Sequence, residues 1–195
     1  MPKNRLEAIS DGIVAIVITI MVLEVSAPFV SDLSGLQEML PGILSYLLSF
    51  MIIAMYWTNH HQLFLLVDKV NGRMIWANFF FMFMLSLFPV FTDWLAKTAF
   101  DKLPTLIYIV LVFLSTHSFI LLQQIVVHSV EDTTAHSVLR VGIREWMTMA
   151  IEVIAFILAL VTDIRWLPMA CLGIIGPLWI IPDIRIKKYL SEKSE

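Results

Sequence analysis

Two short stretches of this 195-residue chain place polar side chains inside otherwise apolar runs. The first is Arg5-Leu6-Glu7-Ala8-Ile9-Ser10-Asp11-Gly12. The second is Trp57-Thr58-Asn59-His60-His61-Gln62-Leu63-Phe64. An aspartate and two histidines could relay protons, ligate a metal, or simply satisfy one another. Spacing narrows the choice. Neighbouring residues on a helix point about 100° apart, so His60 and His61 cannot chelate one ion as an i, i+4 pair would. Trp57 and His61 are four apart and share a face. One histidine is therefore expected to bond to a buried acceptor while the other faces an interface. Asn78, close behind Trp76, opens a third apolar run. Polar groups in hydrocarbon need partners. Arg5, Ser10, Asp11, Trp57, His60 or His61, and Asn78 are thus expected to form one structural polar cluster at one membrane depth. The sequence holds no Ser-His-Asp pattern, HExxH, Walker loop or dinucleotide fingerprint, and the chain is read as not an enzyme. Cys171 is the single cysteine, so neither an intrachain disulfide nor a cysteine-based metal cluster can form; no metal site is expected.

The elements that must carry these residues follow from composition. The chain is 59% apolar and 15% charged, against about 25% charged in ordinary soluble domains. A fold of this size has too much surface to hide that apolar content from water. A net charge of −3 leaves no basic footprint for phosphates, so nucleic acid is excluded as a partner. Crossing about 30 Å of hydrocarbon takes roughly 20 helical residues. The uncharged runs give six transmembrane helices, at about 5–26, 39–66, 73–94, 103–128, 141–163 and 166–183, in one all-α, polytopic domain spanning 1–195. The second is expected to start at Pro41-Gly42, and the last is broken by Pro168, Gly173, Gly176 and Pro177. The runs are too continuous for β-barrel strands. Asp11 inside the first run argues against a cleaved signal peptide. Threading six spans places ten Lys and Arg on one side and three (Lys97, Lys102, Arg165) on the other. Both termini are therefore expected in the cytoplasm.

Angular arithmetic on the first helix isolates a stripe. Gly12, Thr19, Ile20 and Leu23 lie within about 60° of Ile16, while Ser10 and Asp11 fall roughly 120° and 140° away in opposite senses. Periodicity alone reads this stripe as a helix-packing face. Elsewhere, Glu152 could pair with another helix, His117, Gln123 and Gln124 could be interhelical glue, and Glu24 closes the first helix.

These motifs together resemble a known family. Arg5-x-x-x-Ile9-Ser10-Asp11 is similar to an R-x-x-x-F-S-D signature, with Ile9 where Phe is usual. Ser49-Phe50, Trp57, His60-His61 and Phe64 resemble the same family's second helix; Asn78, Phe79 to Phe83 and Pro89 resemble its third. The family is that of the bacterial and lysosomal six-helix potassium channels without the usual P-loop filter. The resemblance is dense over residues 5–90. It implies a single-repeat bacterial type in the inner membrane, assembled as a homotetramer around a central pore lined by the first helix. It also implies no cofactor, with K+ and other monovalent cations as permeant ions. It assigns Ile16, Ile20 and Leu23 to a hydrophobic pore constriction, with Thr19 serving selectivity and ion hydration. The stripe coincides with these positions, which turns its reading from packing to pore. No Thr-Val-Gly-Tyr-Gly-like stretch exists to form a carbonyl cage. The competing reading is a proton-coupled secondary carrier using Asp11, His60 or His61, and Glu152, with the broken sixth helix as its interrupted helix.

Overall fold

The computed structural model describes residues 2–28, 31–67, 69–129 and 142–180. Among them the chain is all-α. Its helices are α1 (Lys3–Leu23), α2 (Leu33–Leu65), α3 (Gly72–Ser86), α4 (Phe88–Lys97), α5 (Lys102–Val127), α6 (Ile143–Val161), α7 (Leu167–Gly173) and α8 (Ile175–Ile180). Four stretches are long and apolar enough to cross a membrane: α1, α2, α3 with α4, and α5. α6 has span length but carries Arg144, Glu145 and Glu152.

Two element boundaries differ from the sequence expectation, each for a local reason. α2 begins at Leu33, well before Pro41-Gly42. Asp32 caps it, its carboxylate accepting from the backbone N–H of Ser34 at 2.9 Å and of Gly35 at 3.3 Å. Pro41 therefore sits inside the helix, where it removes one backbone donor without ending the element. The third run is two helices joined at Leu87, with Pro89 in the first turn of α4. A first-turn proline loses no helical hydrogen bond, so the break falls just ahead of it. The sixth run is likewise two short helices, meeting at Ile174. The end of the expected sixth helix lies outside the described residues, as do Arg140, Arg185, Lys187, Lys188 and Lys193 of the charge count.

Asp32 yields a first test. Its hydrogen bonds to Ser34 and Gly35 hold its carboxyl below the usual carboxylate value. A depressed folded pKa makes the cap's contribution complete above the ordinary carboxylate range and lost only as pH falls through the lowered value. Asp32→Ala should speed amide exchange at Ser34 and Gly35 at neutral pH, whereas Asp32→Asn should leave it nearly unchanged.

Packing places the polar stretches together. α1 lies against α2, α3 and α4, and α5 packs on α3, α4 and α6. α7 and α8 return from α6 to α2. The face of α1 turned into this bundle is Leu6, Ser10, Val14, Val17 and Met21, a spacing of four, four, three and four that keeps one side of a helix. α2 buries Ser45, Ser49, Ile52, Ile53, Tyr56, His60 and Leu63 on one side. Hydroxyls and an imidazole thus point into the protein from an otherwise apolar helix.

Candidate functional site

The outward face of α1 is the first component. Ile16 is 59% exposed, Ile20 42% and Leu23 80%, and Thr19 and Gly12 are exposed beside them. This stripe lies opposite the buried Leu6–Met21 face, and none of the described residues covers it. A Cβ added at Gly12 would meet nothing within 4 Å. The Thr19 hydroxyl donates within its own helix, to Ala15 O at 3.0 Å and Ile16 O at 2.9 Å. With its hydrogen engaged there, its oxygen lone pairs can accept a donor or contact a cation.

The second component is the polar group behind that helix. Arg5, Ser10, Asp11, Trp57, Asn78 and one of the two histidines, expected to form one cluster, do not all join. They separate into a buried chain, an exposed group, and Arg5, which is exposed and without a side-chain hydrogen bond or ion pair among the described residues. In the buried chain His60 Nε2 lies 2.7 Å from Asn78 Oδ1. Asn78 Nδ2 donates to Ser10 Oγ at 2.9 Å, and Ser10 donates to Leu6 O at 2.9 Å. His60, Asn78 and Ser10 are all at most 3% exposed. An amide oxygen can only accept, so Nε2 carries the imidazole hydrogen. One continuous run of hydrogen bonds thereby ties α2 to α3 to α1. In the exposed group Trp57 Nε1 donates to Asp11 Oδ1 at 2.9 Å, and the Trp57 ring stacks on His61 with centroids 5.9 Å apart. The separation has a simple cause. Ser10 and Asp11, like His60 and His61, are consecutive, so only one of each pair can face the three-helix contact. His60 is the histidine that makes it.

The sequence reading passed over two further polar ties. Ser49 Oγ contacts both Thr92 Oγ1 and Tyr108 Oη at 2.7 Å, joining α2, α4 and α5. Tyr56 Oη lies 2.7 Å from Thr116 Oγ1, and Thr116 bonds to Glu152 Oε1, joining α2, α5 and α6. Glu152 is 1% exposed, and its Oε2 has no hydrogen-bond partner among the described residues. The signal was legible: Ser45, Ser49, Tyr56 and His60 recur at helical spacing on one face of α2. Hydrogen bonds thus distribute Asp11, His60 and Glu152 among three separate groups. No grouping of three or more His, Cys, Asp or Glu able to hold a metal occurs among the described residues.

Comparison with known proteins identifies the family. The family described as endosomal/lysosomal potassium channel TMEM175 matches residues 5–89, the stretch holding α1, α2, α3 and the start of α4. A protein of Chryseobacterium sp. (strain P1-3) described as a potassium channel is 37% identical, covering 98% of this chain and the whole of that protein. A potassium channel of Chamaesiphon minutus is 35% identical over 48% of this chain and 49% of its own. A Gallus gallus protein described as an endosomal/lysosomal proton channel, TMEM175, is 37% identical over 38% of this chain and 17% of its own length. In fold, the chain is similar to the crystal structure of a lysosomal potassium-selective channel TMEM175 homolog from Chamaesiphon minutus. The TM-score is 0.80 at 22% identity, over 93% of this chain and 98% of that one. With a relative matched from end to end and the motif-bearing helices matching the family itself, this chain belongs to the TMEM175 potassium channel family.

Proposed function

We propose that the chain is a multi-pass membrane channel conducting potassium passively. Four copies would assemble so that the outward stripe of α1 meets around a central axis. The observation that carries the reading is the exposure of Ile16, Ile20 and Leu23 on a helix whose opposite face is fully packed. Exposed branched aliphatic side chains on a helix tied to its neighbours by the Ser10–Asn78–His60 run suit a fixed hydrophobic ring. Such a ring restricts flow by narrow diameter and dewetting rather than by a carbonyl cage. Thr19, its hydrogen engaged by the helix backbone, presents the oxygen nearest this stripe and would replace part of an ion's lost water. Asp11, Trp57 and His61 would hold the cytoplasmic end of the assembly. Permeation of this kind uses no cofactor and no catalytic group.

A carrier would need Asp11, His60 and Glu152 to exchange protons along one path. Their division among three hydrogen-bonded groups supports the channel instead. Purified protein in a planar bilayer separates the two. Resolvable single-channel current steps in potassium are the expected result; flux without steps, coupled to a proton gradient, would sink the proposal.

Orientation has its own check. With both termini in the cytoplasm of a bacterial cell, an impermeant thiol reagent on whole cells should label Ser34→Cys and spare Ser194→Cys in a Cys171→Ser background. The opposite pattern would invert the topology.

A further inference from the structure

A groove of about 1100 Å3 runs between α3 and α5, on the side of the bundle where α1 begins. Its walls are apolar: Trp76, Phe80, Leu121 and Ile125. Its mouth is polar. Arg73 and His128 stand there, from the first turn of α3 and the end of α5, and no carboxylate is among the described residues lining it. Arg73 is exposed and has no ion pair among the described residues. His128 uses Nδ1 on Gln124 O at 2.7 Å, which leaves Nε2 as its available ring atom. The two helices are pinned at this mouth by Asn71 Nδ2 donating to Ser129 Oγ at 2.9 Å, so the groove is built into the α3–α5 contact. Trp76 is 78% exposed one turn into α3, the position at which indole rings mark the boundary between headgroups and hydrocarbon.

A membrane offers one abundant molecule with this pattern of charge and apolar length. We propose that the groove binds an anionic phospholipid of the phosphatidylglycerol type. Arg73 takes the phosphate through its planar guanidinium, which matches paired phosphate oxygens. The acyl chain lies along Phe80 and Leu121. A cation at the mouth of an apolar groove, with no carboxylate among the described residues lining it, selects the anionic headgroup over the zwitterionic one. Filling the groove would brace α3 against α5 and, through Asn78 on α3, the Ser10–Asn78–His60 tie to α1.

The purified channel, exchanged into micelles holding equal amounts of POPC and POPG, tests this by native mass spectrometry. Wild type should retain POPG in preference to POPC. Arg73→Gln should lower POPG retention roughly fivefold and leave POPC retention unchanged, which also reports an intact fold. Leu121→Trp, which fills the groove, should lower both. Equal retention of the two lipids by wild type, or unchanged POPG retention by Arg73→Gln, overturns the proposal. Two further occupants are distinguished by disulfide trapping in a Cys171→Ser background. A Trp76→Cys, Thr134→Cys pair that cross-links within one chain regardless of added POPG would assign the groove to the protein's own segment. Trp76→Cys alone cross-linking between chains regardless of POPG would assign it to a second copy. With lipid as the occupant, POPG suppresses both cross-links.

Discussion

Replacing Ile16 by Asn should raise single-channel conductance about tenfold, equivalent to lowering the barrier at the constriction by roughly 1.4 kcal/mol. The direction follows from what the ring lacks. Ile16 is 59% exposed with no charged residue on its stripe, so in the proposed tetramer a cation passing four such side chains would shed water and gain little in return. An amide at this position offers oxygen to the ion and keeps the passage wet. Leu23→Ala should act in the same direction through width alone. Potassium preference should fall in both variants, because a wider, hydrated passage no longer discriminates by dehydration. Thr19→Val should weaken potassium preference without a large rise in conductance, since it removes the oxygen and keeps the width. Bilayer recordings with potassium and sodium on opposite sides measure conductance and reversal potential together. Unaltered conductance in both Ile16→Asn and Leu23→Ala would place the pore elsewhere.

Asn78→Leu should cost about 2–3 kcal/mol of stability, the largest effect expected from a single change inside the bundle. The substitution keeps the number and branching of the side-chain heavy atoms, so the cost is not a cavity. It removes both hydrogen bonds of Asn78 and strands the His60 Nε2–H in a site that is 3% exposed. Ser10 suffers less, because its hydroxyl still donates to Leu6 O. His60→Leu alone should destabilise by a similar amount by stranding the amide oxygen. The double variant should cost less than the sum of the two, because replacing both partners leaves neither unpaired. Denaturation of the purified chain in mild detergent gives all four corners of this cycle. Strict additivity would mean that the two side chains do not depend on each other. Trp57→Phe should be mild by comparison, since its Asp11 bond lies on an exposed face.

Much of this arrangement could be read from residue order. Uncharged run lengths place the helices, and 100° steps along α1 separate the Ile16 stripe from Ser10. Two kinds of information were less accessible. Element ends depend on single capping contacts: Asp32 starts α2 ahead of a proline that looked like its boundary. Partner choice depends on which helices meet. Consecutive polar residues cannot share a face, but only the α1–α2–α3 contact decides that Ser10 and His60 turn inward while Asp11 and His61 turn outward. The same holds for Tyr56 and Thr116, whose pairing requires knowing that α2 and α5 cross at that depth.

The tie from His60 to Ser10 also bears on what else could travel through this bundle. It is continuous as a set of hydrogen bonds, yet its middle member is a carboxamide. A proton handed from the imidazole to Asn78 Oδ1 would oblige Nδ2 to surrender another to Ser10, leaving the high-energy imidic acid. Restoring the amide would then require rotating the group, which breaks both contacts that fix the three helices. The run is accordingly an insulator: it transmits force between helices and blocks charge. In the proposed channel this run behind α1 would fasten the conduit wall without itself offering hydrogen ions a parallel wire.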